Sequence, residues 1–199
     1  MPPVEGAILA LIGLAIGAAA LVYLRARSRA LYRARARVFR DFASARGLVF
    51  RDLDGAFRAG GAMRSVEVHV HVELSRGKYA TARYSARPMV PMPRVVVLRR
   101  AEARPPEGLA ELATGDLAFD AELVAYGGDD PVTRAAISAS ARAELLALVS
   151  PACSVSRLEL GPNDVLLELV ADADEVFTER WLAASLDLVT SFATGRRRS

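Results

Sequence analysis

The chain of 199 residues has a single cysteine and only two histidines, and these shortages remove much of the usual chemistry. One thiol cannot close an internal disulfide, so no part of the fold is stapled covalently. Cys153 lies in the apolar-rich stretch CSVSRLEL, where a buried thiol is the ordinary expectation. A Ser/His/Asp triad would have to take His69 or His71 as its base, and no activated serine accompanies either. Also missing are the G-x-S-x-G elbow, the Walker phosphate loop and the G-x-G-x-x-G dinucleotide turn. No D-x-[DN]-x-[DN]-G series marks a calcium loop, and no segment repeats. The sequence therefore names no reaction, no catalytic residue and no cofactor.

What is present begins with a long uncharged run. Nineteen residues from Gly6 to Leu24, GAILALIGLAIGAAALVYL, lie between Glu5 and Arg25. As a helix they would span roughly 28 Å, near the thickness of a bilayer's hydrocarbon core. A cleaved signal peptide would have a shorter apolar region of about 7–15 residues behind a positive start. Here MPPVE has no Lys or Arg, and eight arginines follow the run instead. That asymmetry predicts an uncleaved anchor in a bacterial inner membrane, with the N-terminus outside and the bulk of the chain cytoplasmic. The predicted organisation is a tail (1–5), a transmembrane helix (6–24), an Arg-rich juxtamembrane helix (25–46), a cytoplasmic domain (47–195) and a basic tail (196–199). Arg25, Arg27, Arg29 and Arg33 are expected at the membrane surface, where each basic residue gains about 1 kcal/mol from anionic headgroups. Gly13 and Gly17 form a G-x-x-x-G pair that would let two such helices pack closely as a homodimer.

Charge is strongly partitioned. Residues 1–46 sum to +6, residues 47–100 to +6, and residues 101–195 to −12, while Arg196, Arg197 and Arg198 return +3. The domain itself is thus acidic, which argues against a nucleic-acid partner, whose binding leaves a basic footprint.

Within the domain, RSVEVHVHVEL alternates cleanly and predicts a half-buried strand, with Val66, Val68, Val70 and Val72 on one face. SRGK is a turn, YATARYSA the returning strand, and RPMVPMPR a loop or edge because of its three prolines. VVVL (95–98) is a further strand. FDAELVAYG (119–127) reads as another, and DDPVTRAAISASARAELLALV as one helix or two, capped by Asp129 or Asp130 with Pro131 at its first position. CSVSRLEL and VLLELV flank a GPND hairpin turn. DADEVFTERWLAASLDLVTSFATG is an amphipathic helix with Phe177, Trp181, Leu188 and Phe192 on one face and Gly195 as its C-terminal stop. The fold class is α+β: a mainly antiparallel sheet packed with helices, behind an N-terminal transmembrane helix.

Two groups invite a chemical reading. Glu67, His69, His71 and Glu73 alternate on one strand face, about 6.5–7 Å apart, a plausible set for a transition metal. With no third histidine, the simpler expectation is a solvated polar face opposite the valines. Met89 and Met92 suit gap-filling at the proline-rich edge better than copper. The second group is TGDLAFDAELVAYGGDD (114–130), with five acids in seventeen residues. Asp116 fits an Asx-type turn, Asp120 and Glu122 the outer face of a strand, and Asp129 and Asp130 a helix cap, so each has a structural role.

TGDLAFDAELVAYGGDDPVTRAAIS, followed by ARAELLAL, resembles a pattern in uncharacterised bacterial membrane-anchored proteins carrying a domain of unknown function. The resemblance covers about residues 112–170 and departs from the pattern at Leu123, where an aromatic residue is usual. It implies no established activity. The leading expectation is a membrane-anchored protein with a non-enzymatic binding or scaffolding domain, its protein partner unidentified. The alternatives are a membrane-tethered metal-dependent enzyme using His69 and His71, and a sensor of anionic lipid.

Overall fold

The computed structural model describes residues 3–75 and 78–195, with side chains from Ile12 onward. The chain separates into two compact units, Met1–Arg37 and Val38–Ser199. Helix α1 (Pro3–Ala45) runs through 43 residues, as expected from a stretch with no proline after Pro3 and only small glycines within it. The second unit takes in Val38–Ala45, residues that the sequence reading assigned to the juxtamembrane helix.

In the first unit, Leu14, Ile16, Val22 and Tyr23 stand uncovered. Among the described residues no helix is long and apolar enough to cross a membrane. The expected span at 6–24 begins outside the described side chains: residues 6–11 are not among them, and Ile12–Leu24 alone would reach only about 20 Å. The described residues therefore contain no transmembrane helix.

The second unit is a mixed α/β fold built on one nine-stranded sheet. Its strands are β1 (Val49–Leu53), β2 (Ala56–Met63), β3 (Val66–Leu74), β4 (Tyr79–Ala86), β5 (Val95–Arg99), β6 (Ala110–Leu112), β7 (Leu123–Gly127), β8 (Cys153–Leu160) and β9 (Val165–Asp172). They lie in the order β1-β2-β3-β4-β9-β8-β5-β7-β6, and each neighbouring pair is antiparallel. Strand β3 behaves as its alternation predicts: Val66, Val68, Val70 and Val72 are buried, and Glu67 and His69 exposed. The β2–β3 turn is tight, with Arg64 and Ser65 both at positive φ (50° and 68°), where asparagine and glycine are more usual. Strands β1 and β2, which sequence patterning did not reveal, lack a clean alternation. Gly60 and Gly61 interrupt β2, and most of edge strand β1 is exposed.

Around the sheet lie α2 (Leu117–Glu122), α3 (Pro131–Ala136), α4 (Ala139–Ala147), α5 (Ala173–Val176) and α6 (Glu179–Thr194). Helix α6 packs across β3, β4 and β9, burying Leu182, Leu186 and Val189 completely. Thr178 caps its start by accepting from the Trp181 N–H, and Gly195 closes it at φ 63°. Phe177 precedes α6 instead of belonging to it, because the chain first forms the single turn of α5.

Residues 119–122 correct the sequence reading. Phe119–Glu122 are helical, and only Leu123–Gly127 form strand β7. The Asp116 carboxylate accepts from the Phe119 N–H at 3.2 Å and so nucleates a turn of helix where alternation suggested a strand. All five residues of β7 are buried, so its two faces carry no polar–apolar contrast for a reader to follow. The following segment is two helices: Asp130 caps α3 by accepting from Val132 and Thr133 N–H groups at 3.0 and 2.9 Å, and Ser138 caps α4.

The C-terminal turns of α1 are locked to the sheet by an aromatic cluster. The Phe39 ring is fully buried, with centroids 5.9 Å from Phe42, 6.0 Å from Phe50 and Phe57, and 6.4 Å from Phe177. Phe57 meets Phe177 edge-on at 5.5 Å. The Arg40 and Arg46 guanidinium groups cover Phe50 and Phe42 at 5.1 and 4.3 Å, so these two arginines of the basic segment shield rings.

Truncating this centre, Phe39→Ala, should destabilise the protein by about 3–5 kcal/mol, read as a fall in the urea-unfolding midpoint; an unchanged midpoint would show that α1 is not anchored through Phe39. The caps generate a pH prediction. The Thr133 hydroxyl and N–H hold Asp130 below the ordinary 3.8, and the Phe119 N–H and Arg142 do the same for Asp116. Both carboxylates are thus more acidic folded than unfolded, so their stabilisation is present above the unfolded value and lost as pH falls through the folded one. The unfolding midpoint should fall on acidification below about pH 4, and Asp130→Asn should make that fall shallower. An equal slope in the variant would refute the assignment.

Candidate functional site

Covering one face of β3, β4 and β9 with α6 leaves the opposite face open, and register determines what stands on it. Arg51 lies opposite Arg58, Arg58 opposite His71, His71 opposite Arg83, and Arg83 opposite Glu168. A trough of about 700 Å³ runs over this face, lined by Arg51, Arg58, Gly60, His69, His71 and Arg83 among others. Its depth over β2 comes from Gly60: a Cβ there would stand 2.8 Å from His69 Nδ1.

The side chains of the trough are engaged in distinct ways. Arg58 Nε donates to His71 Nδ1 at 2.9 Å, so that nitrogen is an acceptor and the ring is neutral. Partial burial, and then the positive charge of Arg58, pull the His71 pKa below 6.5; Glu73 opposes the shift and Arg83 adds to it. His69 Nε2 turns to Glu67 at 3.3 Å, and Arg83 Nε donates to Glu168 at 2.6 Å. Register thus brings Glu67, His69, His71 and Glu73 onto one face as the alternation predicted. It does not converge them: the two imidazoles face different partners, and among the described residues no group of three or more His, Cys, Asp or Glu is placed to hold a metal. Arg51 and Arg58 were not singled out by the sequence, because β1 and β2 were not legible as strands and their register could not be known.

A second concavity of about 230 Å³ lies between the proline-rich loop, α3–α4 and the end of α6, lined by Met92, Val132, Ala141, Glu144, Leu188 and Phe192 among others. Met92 fills this apolar lining, and Met89 is exposed while its N–H donates to the Ala193 carbonyl at 2.8 Å.

The five acids of the 114–130 stretch are dispersed. Asp116 also pairs with Arg142 at 3.2 Å, Asp120 accepts from the Thr114 hydroxyl at 2.9 Å, Asp129 pairs with Arg134, Asp130 caps α3, and Glu122 is exposed. In the first unit Arg25, Arg27, Arg29 and Arg33 are all exposed. A side chain added at Gly13 or Gly17 would meet nothing within 4 Å.

Cys153 is buried in β8, and burial, with Glu175 adding to it, pushes its thiol up to about 12. At neutral pH it is neither a thiolate nor reachable. A maleimide reagent at pH 7.5 should leave Cys153 unmodified in the folded protein and label it completely in denaturant; rapid labelling of the native form would contradict this placement.

Comparison with known proteins adds a fold and no family. No family model matches the chain and no curated protein matches it, so the resemblance drawn over residues 112–170 has no family model behind it. The crystal structure of the mycobacterial trehalose monomycolate transport factor A, TtfA, superposes with a TM-score of 0.50 at 14% identity, covering 78% of this chain and 94% of that one. At that identity the two chains share an architecture, and the chain described here is similar to a transport factor in fold alone.

Proposed function

We propose that this is a single-pass membrane protein whose α/β domain is a non-enzymatic binding or scaffolding module on the cytoplasmic side. The observation that carries it is the uncovered apolar side of α1: Leu14 is 74% exposed and Val22 69%, a loss of hydrophobic burial that a bilayer would restore. Adding the uncharged residues from Gly6 brings the apolar run to the length a bilayer requires. Arg25, Arg29 and Arg33 follow at four-residue spacing, so like charges stack along one side of the helix and repel; anionic headgroups would relieve that repulsion. The positive-inside rule, applied to the same arginines, supports a cytoplasmic domain.

A binding role agrees with what the domain offers: an open polar face with a trough, and a buried thiol. TtfA, a transport factor by name, has this architecture, and a factor that binds rather than transforms is the class we bring across. Gly13 and Gly17, facing open space, are the surface through which two anchors would pair.

The full chain, expressed in a bacterium, should sediment with membranes and stay there after alkaline carbonate washing; release into the supernatant would sink the anchor. Gly13→Leu with Gly17→Leu should keep the chain in the membrane while abolishing its cross-linked dimer, and a persistent dimer would remove the helix pairing alone.

A further inference from the structure

The trough on the open sheet face has an unbalanced pair of cations at one end. Arg51 and Arg58 are directly opposed on β1 and β2, and neighbouring strands stand only about 4.8 Å apart. Like charges so placed oppose strand pairing, yet the Arg51 side chain has no hydrogen-bond or ion-pair partner among the described residues. Arg58 commits only its Nε, to His71. Elsewhere in the trough charge is matched: Glu168 holds Arg83, and Glu67 lies beside His69. Gly60, between the Arg58–His71 row and the end of the hairpin, keeps the space above the strands open, since any larger residue would press on His69.

Two adjacent guanidinium groups suit an acceptor with several charged oxygens. A carboxylate is saturated by one bidentate fork, whereas a phosphate offers three oxygens and can engage two forks at once. We propose that this end of the trough is a phosphate-binding site, in which Arg51 and Arg58 hold the oxygens and His71 stands beside them. The phosphate is that of a small soluble monoester or of a phospholipid headgroup presented at the membrane. The site rests on the reading of the domain as a binding module, and needs nothing from the anchor.

The arrangement has a titration signature. His71 faces Arg58 from β2 and Arg83, with Glu168 behind it, from β4 and β9; on its own strand stand His69 and Glu73, and Arg51 lies one strand beyond Arg58. The nearby guanidiniums disfavour its protonation. A bound dianion offsets them, so phosphate should raise the pH at which His71 titrates.

The full chain has only two histidines, so in non-ionic detergent its imidazole protons give two readable NMR signals. Inorganic phosphate, added at fixed pH and constant ionic strength, should move the His71 signal saturably and shift its titration midpoint upward. Arg58→Gln and Arg51→Gln should each weaken that response about tenfold or more, whereas Arg104→Gln, on a distant loop, should leave it unchanged. Unaltered melting temperatures would verify that the exposed substitutions fold. A response that does not saturate, or that survives in both trough variants, overturns the site. Short-chain phosphatidic acid in the same micelles distinguishes the source. Saturation at lower concentration than inorganic phosphate identifies a headgroup, and the reverse order identifies a soluble monoester. Carbonate-resistant sedimentation of Arg58→Gln is expected to match the parent chain, so failure of the phosphate site and failure of the anchor are read separately.

Discussion

Helix α6 lays Leu182, Leu186 and Val189 against β3, β4 and β9, and Val68, Val70, Val72, Leu167 and Leu169 disappear beneath it. Each fully buried side chain of this size contributes about 1.5–3 kcal/mol, so the contact is the main reason the central strands have a single register. Once the valines of β3 are committed to that side, period two leaves Glu67, His69, His71 and Glu73 no choice but the other. The same constraint turns Arg58 and Arg83 outward with them. The open face is thus the geometric complement of the core, and its charges are placed by apolar burial elsewhere.

The aromatic cluster around Phe39 works on the opposite end of the domain's problem. An edge strand as exposed as β1 has little apolar area of its own to hold it. Phe50 supplies the exception, packing with Phe39, Phe57 and, through the last two rings, Phe177. Rings from α1, β1, β2 and the turn before α6 therefore meet in one place. Position 51 is held opposite position 58 because its neighbour at 50 is fastened, and the cation pair of the trough depends on that fastening.

Charge partition along the chain acquires a physical meaning in this fold. The basic 47–100 segment supplies β1 to β5, and the acidic 101–195 segment supplies α2 to α6 and β6 to β9. They meet at the β4–β9 pairing, where Arg83 bonds Glu168, and again where β5 lies between β8 and β7. Farther out, toward β1, Arg58 faces Arg51 across the strands and gives its Nε to His71. The metal reading of the β3 face weakens for a related reason: His71 lies between Arg58 and Arg83 on the neighbouring strands, whose positive charge disfavours a further cation, and His69 turns away to Glu67.

Period-two alternation was enough to locate β3, β4, β8 and β9, and Asp130 and Gly195 stood where helix ends need them. These features are local, settled by side-chain period and by the backbone groups that helix termini leave unpaired. The uncharged run and its arginine collar are local in the same sense. Phe119–Glu122 escaped because a cap at Asp116 outweighed an alternation that the buried β7 never obeyed. The trough escaped because Arg51, Arg58, His71 and Arg83 are scattered over more than thirty positions and become neighbours only through strand order and register. The sequence by itself determined which residues prefer water, and it marked the start of α3 and the end of α6. Only the tertiary structure decided which cations share a face, because cross-strand pairing is set by the packing of the opposite, apolar side.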